Sequence, residues 1–159
     1  MLGLAAAGVA FAIFAPGQRN GADEFATAPE TALQRLEARH RIVNGSGLGS
    51  LTIEGRSRHE GTVGVAVQRA GSQHWIDCQV AITSLSSGGS SAITECAQAA
   101  PGPTAKLAIQ ALNIVMKEHV AATIEDREYD IDGVADKMLA FMTSAGPTLA
   151  AADEFDTKQ

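Results

Sequence analysis

GSLTIEGRSRHEGTVGVAVQRAGSQHWIDCQVAITSLSSGGSSAITEC, residues 49–96, decides how the rest of the chain is read. Three turn signals divide it. His59-Glu60-Gly61 fits a three-residue hairpin loop, with Gly in the left-handed position. That loop sets Arg58 opposite Thr62, Ser57 opposite Val63, Gly55 opposite Val65 and Ile53 opposite Val67. Gly71-Ser72 suits a type II′ turn, which sets Val67 against Ile76, Val65 against Cys78 and Val63 against Val80. At the Ser/Gly tip, Leu85 to Ser90, a three-residue loop ending at Gly88 sets Val80 against Thr94 and Cys78 against Cys96.

Each turn is placed by its own local chemistry, yet all three registers agree on one apolar face. Leu51, Ile53, Val63, Val65, Val67, Ile76, Cys78, Val80, Ile82, Ala92 and Cys96 share it. Thr52, Glu54, Arg56, Thr62, Gln68, Asp77, Gln79, Thr83 and Glu95 take the other side. A one-residue slip would invert the buried set, so this agreement is strong evidence for the register. The expectation is a four-stranded antiparallel β-meander, apolar on one side and polar on the other.

Helices are expected on both flanks. Pro29–Val43 reads as one helix, with Pro in its first turn, Glu30 at its positive end and an apolar stripe of Leu33, Leu36, His40 and Val43. Asn44-Gly45 would end it. After the Pro-containing connector 97–103, Thr104–Arg127 carries a broad apolar face: Leu107, Ala111, Leu112, Val115, Met116, His119 and Ile124, widened by Ile109, Ile114 and Val120. Such a face suits a helix buried on two sides. Asp132–Ser144 reads as a second helix that stops at Gly146-Pro147. The fold class is therefore α+β, with an N-terminal helix and a C-terminal helix pair packed on the sheet.

Residues 1–15 (MLGLAAAGVAFAIFA) are almost wholly apolar and precede Pro16-Gly17. The run is short for a bilayer span, which needs roughly 20 residues. It suits the apolar region of an export signal. No Lys or Arg precedes it and its small-x-small cleavage options are mediocre, so an uncleaved anchor stays open. Residues 1–17 are expected to be a signal peptide or membrane anchor, 18–29 a linker, 30–146 a single domain and 147–159 a flexible tail. The expected location is periplasmic or extracellular, with inner-membrane anchoring if the leader is retained.

The two cysteines follow from the register. Cys78 and Cys96 face each other on neighbouring strands, within reach of a disulfide if the pair is non-hydrogen-bonded. An export leader makes oxidation the expected state. No spaced His partner accompanies them, so no metal is expected there.

Other motifs lead nowhere. Arg41-Ile42-Val43-Asn44-Gly45 resembles the activation site of trypsin-like proteases, but no nucleophile or histidine segment of that family follows. Gly45-Ser46-Gly47-Leu48-Gly49 is Gly-rich, but a phosphate loop needs strand before helix and this has the reverse order. Glu128-Tyr129-Asp130-Ile131-Asp132-Gly133 echoes half a calcium loop, but Leu139 stands where the bidentate Glu belongs. Asp130 or Asp132 capping the next helix is the simpler reading. His40, His59, His74 and His119 show no metal spacing, and no cofactor is expected. An apolar N-terminus before a meander is also a pilin-like arrangement, but Pro16-Gly17 breaks that helix.

Trp75 stands out. The register puts it on the polar face beside Gln68, with Ala66, Ala81 and Ile93 on the same side. Trp75, Gln68 and Ile93 are the candidate partner-binding residues. The plainer alternative is that a helix or connection covers the ring. The net charge of −6 argues against nucleic acid. The expected function is a non-catalytic binding or assembly protein of the cell envelope with a protein partner. Membrane association would run through residues 1–15, and a homo-oligomer is open. The alternative is a small-ligand carrier or small enzyme with a pocket between sheet and helices, as cystatin-like architectures form. Thr94, Ser57 and His119 are its only candidate polar groups.

Overall fold

The computed structural model describes residues 22–97 and 102–156, with side chains through Gly146. The elements are β1 (Asp23–Phe25), α1 (Pro29–Ala38), β2 (His40–Val43), β3 (Leu51–His59), β4 (Thr62–Arg69), β5 (Trp75–Ser84), β6 (Ser90–Cys96), α2 (Pro103–Ile124) and α3 (Ile131–Asp156). The class is α+β with an antiparallel sheet. The sheet has six strands, however, in the order β1-β6-β5-β4-β3-β2. The expected meander forms its four central strands. The two extra strands lie at the edges, and the apolar leader 1–15 lies outside the described residues.

The inner face is the one expected. Ile53, Val63, Val65, Val67, Cys78 and Val80 are at most 1% exposed, and Leu51, Ile82 and Ala92 are buried around them. Full burial of each Val or Ile contributes roughly 1.5–3 kcal/mol, which makes this layer the centre of the fold.

Two of the three turns differ in detail while leaving most of the register intact. The first hairpin turns on two residues, Glu60 (φ 42°) and Gly61 (φ 80°). Positive φ at both positions marks the primed turn that matches strand twist. His59 therefore pairs with Thr62 and Arg58 with Val63, and a bulge between Gly55 and Arg58 restores Gly55 opposite Val65. The bulge turns Arg58, rather than Ser57, toward the helices, where it meets Glu30 at 2.7 Å. In the second hairpin the turn hydrogen bond runs from the Ser72 N–H to the Arg69 carbonyl, with Gly71 at φ 82°. The turn is thus centred one residue earlier than a Gly71-Ser72 pair, but Val67 still faces Ile76. The third tip is as read: Gly88 N–H bonds the Leu85 carbonyl, and Cys78 faces Cys96.

The N-terminal helix is shorter than its stripe implied. Arg39 is already extended, and His40–Val43 leaves the helix to pair with Leu51–Glu54. The β-branched Ile42-Val43 pair favours a strand, and β3 offers an unpaired edge to satisfy its backbone. Consequently Gly45–Gly49 joins two strands, not a helix to a strand. Phe25, in the stretch read as linker, is buried at the opposite edge, where β1 pairs with β6.

α1 and α2 cover the inner face. α1 buries Ala32, Leu33 and Leu36. α2 buries Leu112, Val115, Met116, His119, Val120 and Ile124, with the sheet and α1 on one flank and α3 on the other. Thr27 and Arg35 both donate to the Ile124 carbonyl at the end of α2. That carbonyl has no partner inside its own helix, so the bonds tie the two helices together. α3 packs mainly on α2, so the layer on the sheet is α1 with α2 rather than a C-terminal pair. Asp130 caps α3 by accepting the Gly133 N–H at 2.9 Å. α3 continues through Gly146-Pro147 to Asp156. Proline removes one helix bond there, and the Ala-rich stretch after it favours continuation.

The disulfide is formed between Cys78 and Cys96, with Cα atoms 3.9 Å apart. The Ala97 N–H bonds the Asp77 carbonyl at 2.8 Å. Bonded and non-bonded pairs alternate along an antiparallel ladder, so Cys78–Cys96 is a close, non-hydrogen-bonded pair. The bond is consistent with an oxidising compartment, periplasmic or extracellular.

Candidate functional site: the outer sheet face and the β2 edge

The ladder places each outer side chain in a row across the sheet. Trp75, Gln68, Thr52 and Ile42 form one row. Asp77, Ala66, Glu54 and His40 form the next. Trp75 and Gln68 are therefore neighbours, as expected. Ile93 pairs with Ala81, six residues along β5 from Trp75. At about 3.3 Å per residue that is roughly 20 Å, so Ile93 and Trp75 do not form one patch.

Trp75 is 36% exposed. The Arg56 guanidinium lies 5.1 Å from its centroid, a cation–π contact absent from the sequence reading. The bulge in β3 begins at this arginine. Among the described residues no helix packs on this face, because α1 and α2 both lie on the other. The face carries Glu24, Glu54, Asp77 and Glu95 against Arg56 and His40. His40 sits 3.8 Å from Glu54.

A second feature runs along the free edge of β2. A groove of about 600 Å³ is lined by Arg39, Arg41 and Ile42 on one side and by Asp126, Arg127, Glu128 and Tyr129 on the other. The Gly55 N–H bonds the Arg39 carbonyl at 2.8 Å. By alternation, Arg39, Arg41 and Val43 pair with β3, while the N–H and C=O of His40 and Ile42 point away from it. Arg39 pairs with Asp126 at 3.1 Å, and Arg127 with Glu118 and Glu125. Among the described residues Arg41 has no carboxylate within ion-pair distance. Its guanidinium lies 5.1 Å from the Tyr129 ring centroid, and its buried Nη1 has no protein partner.

Behind this groove, burial raises the Glu118 carboxyl, but Arg127 and the Asp130 N–H (2.8 Å) outweigh it and hold the group below the usual range. Burial pushes the Tyr129 phenol up, assisted by Glu118. His119 is fully buried, and neither ring nitrogen has a protein partner. Burial, then Arg41 and Arg39, push its pKa down to about 3.

The polar groups considered for a pocket between sheet and helices do not converge. Ser57 lies exposed in the bulge, Thr94 is half-buried opposite Val80 on β6, and His119 is enclosed in α2. Among the described residues no group of three or more His, Cys, Asp or Glu could hold a metal ion, and no helix is long and apolar enough to cross a membrane. Comparison of the chain with protein-family models, with characterised proteins and with solved structures returns no match.

Proposed function

We propose that this chain is an exported or membrane-tethered, non-catalytic binding or assembly module of the cell envelope, and that a protein partner docks on the outer sheet face around Trp75. The observation that carries this reading is the placement of the helices. α1 and α2 cover the inner face, leaving Trp75 uncovered among the described residues, with the Arg56 guanidinium 5.1 Å from its ring centroid. A rigid aromatic side chain on an open face supplies contact area at little cost in side-chain freedom. Asp77 and Glu54 in the adjacent row favour a partner that places basic residues about an apolar pocket.

The test is capture of envelope proteins on immobilised domain. Trp75→Ala is expected to lose the partner by about tenfold or more, as a hot-spot aromatic does. Ile93→Ala, roughly 20 Å away by strand geometry, is expected to retain it. Equal recovery by the native chain and Trp75→Ala would remove Trp75 from the interface.

A further inference from the structure

The edge of β2 combines three things that a bound strand would use. The first is unpaired backbone. The N–H and C=O groups of His40 and Ile42 face away from β3, and no described residue bonds them. An exposed edge of this kind is a template for strand addition. The second is space: the groove of about 600 Å³ is lined by β2 residues and walled by Asp126, Arg127, Glu128 and Tyr129, with Asp126 already paired to Arg39. The third is charge, because Arg41 is half-buried, lies against Tyr129 and, among the described residues, has no carboxylate within ion-pair distance.

We propose that this groove is a strand-addition site for an extended peptide carrying an acidic residue. The peptide pairs its backbone with His40 and Ile42 and sets its carboxylate against Arg41. The register follows from the ladder. Hydrogen-bonded pairs would form at His40 and Ile42, so the residue opposite Arg41 occupies the intervening non-hydrogen-bonded pair, where side chains approach closest. That residue shares Arg41's side of the sheet and is the place for Asp or Glu. Its two neighbours face outward beside His40 and Ile42. The Ile42 side chain is 59% exposed, which favours an apolar neighbour there.

A second copy of the chain fits poorly. Pairing β2 with β2 through His40 and Ile42 would set Arg41 directly opposite Arg41, and like charges directly opposite are unfavourable. The chain's own first 21 residues hold no Asp or Glu. They also enter at β1, on the far edge of the six-stranded sheet. The acidic residues Asp153, Glu154 and Asp156 near the other end of the chain lie within helix α3, so the occupant is a separate acidic peptide segment. This site lies at the β2 edge, three strands across the sheet from Trp75.

The probe is the capped peptide Thr-Val-Glu-Val-Thr, titrated into isotope-labelled full-length protein and followed by amide resonances. The His40 and Ile42 amides are expected to shift and saturate while the Trp75 indole stays still. Replacing Glu in the peptide by Gln is expected to weaken binding about tenfold, and Lys more. Methylating the two Val amides of the peptide is expected to abolish binding, and this arm needs no protein variant. Arg41→Gln is expected to bind the Glu and Gln peptides equally. Still amides at His40 and Ile42 at millimolar peptide would overturn the proposal. So would a Lys peptide that binds as well as the Glu peptide, or a methylated peptide that binds as well as the parent. Concentration-dependent shifts of the same amides without peptide would assign the edge to a second copy, and would overturn it too.

Discussion

The carbonyl oxygen of Leu36 lies where a side chain on Gly55 would begin: a Cβ built there meets it at 2.0 Å. Helix α1 thus rests its backbone, not only its side chains, on the sheet, and the hydrogen bond from Gly55 to Arg39 closes the same contact. Gly55→Ala should force helix and sheet apart and cost about 3 kcal/mol or more, as overpacking of a rigid contact does. Gly64→Ala, on the outer face with its nearest neighbour at 3.5 Å, should cost less than about 1 kcal/mol. Urea unfolding of the two variants checks the difference. Equal midpoints would show that α1 does not bear on the sheet at Gly55.

The cross-strand disulfide should contribute roughly 3 kcal/mol, the chain-entropy value for a loop of this size. Reduction, or the Cys78→Ser/Cys96→Ser pair, should lower the unfolding free energy by that amount. Intact mass under non-reducing conditions should rise by two hydrogens on reduction. A mass that reduction leaves unchanged would mean that the thiols are free.

His119 should make the fold acid-sensitive. In the unfolded chain its imidazole titrates near 6.5. In the fold, burial and then Arg41 and Arg39 depress it to about 3. Between those values only the unfolded chain binds the proton. The stabilisation is complete above about pH 6.5 and is lost as pH falls, at about 1.4 kcal/mol per pH unit from this group. His119→Leu should remove that slope and leave stability at neutral pH unchanged or raised. Chemical unfolding at several pH values measures it, and an unchanged slope in the variant would place the acid response elsewhere.

Glu118 gathers Arg127 and the Asp130 N–H where α2 passes to α3. Glu118→Ala should cost about 1–3 kcal/mol by leaving the Asp130 N–H without its acceptor and Arg127 with Glu125 as its remaining carboxylate. Glu118→Gln, which keeps an acceptor, should cost less. Thermal unfolding compares the two, and equal losses would mean that packing rather than the acceptor matters.

The inner face was legible because period-two alternation and three turns had to agree. Val65 and Cys78 could not both be buried under a one-residue slip. The edges were not legible for a physical reason. His40 and Val43 sit at helical spacing from Leu33 and Leu36, and only the unpaired edge of β3 draws them into a strand. Asp23–Phe25 is three residues long, and its partner lies at Ser90–Ala92, far along the chain. The Trp75–Gln68 pairing could be read from the turn, but the Arg56 contact depended on a bulge that no local signal marks. The β2 groove joins residues near 41 to residues near 129, and no stretch of sequence contains both.

Strand β1 pairs with β6, so the first strand of the domain finds its partner only when the chain has been made to residue 92. Pairings this distant in sequence slow folding, because the intervening loop must be closed before they form. During synthesis the Asp23–Phe25 segment therefore waits without its strand partner until Ser90–Ala92 has been made. Its apolar Phe25 then depends on whatever shields it until the last strand arrives.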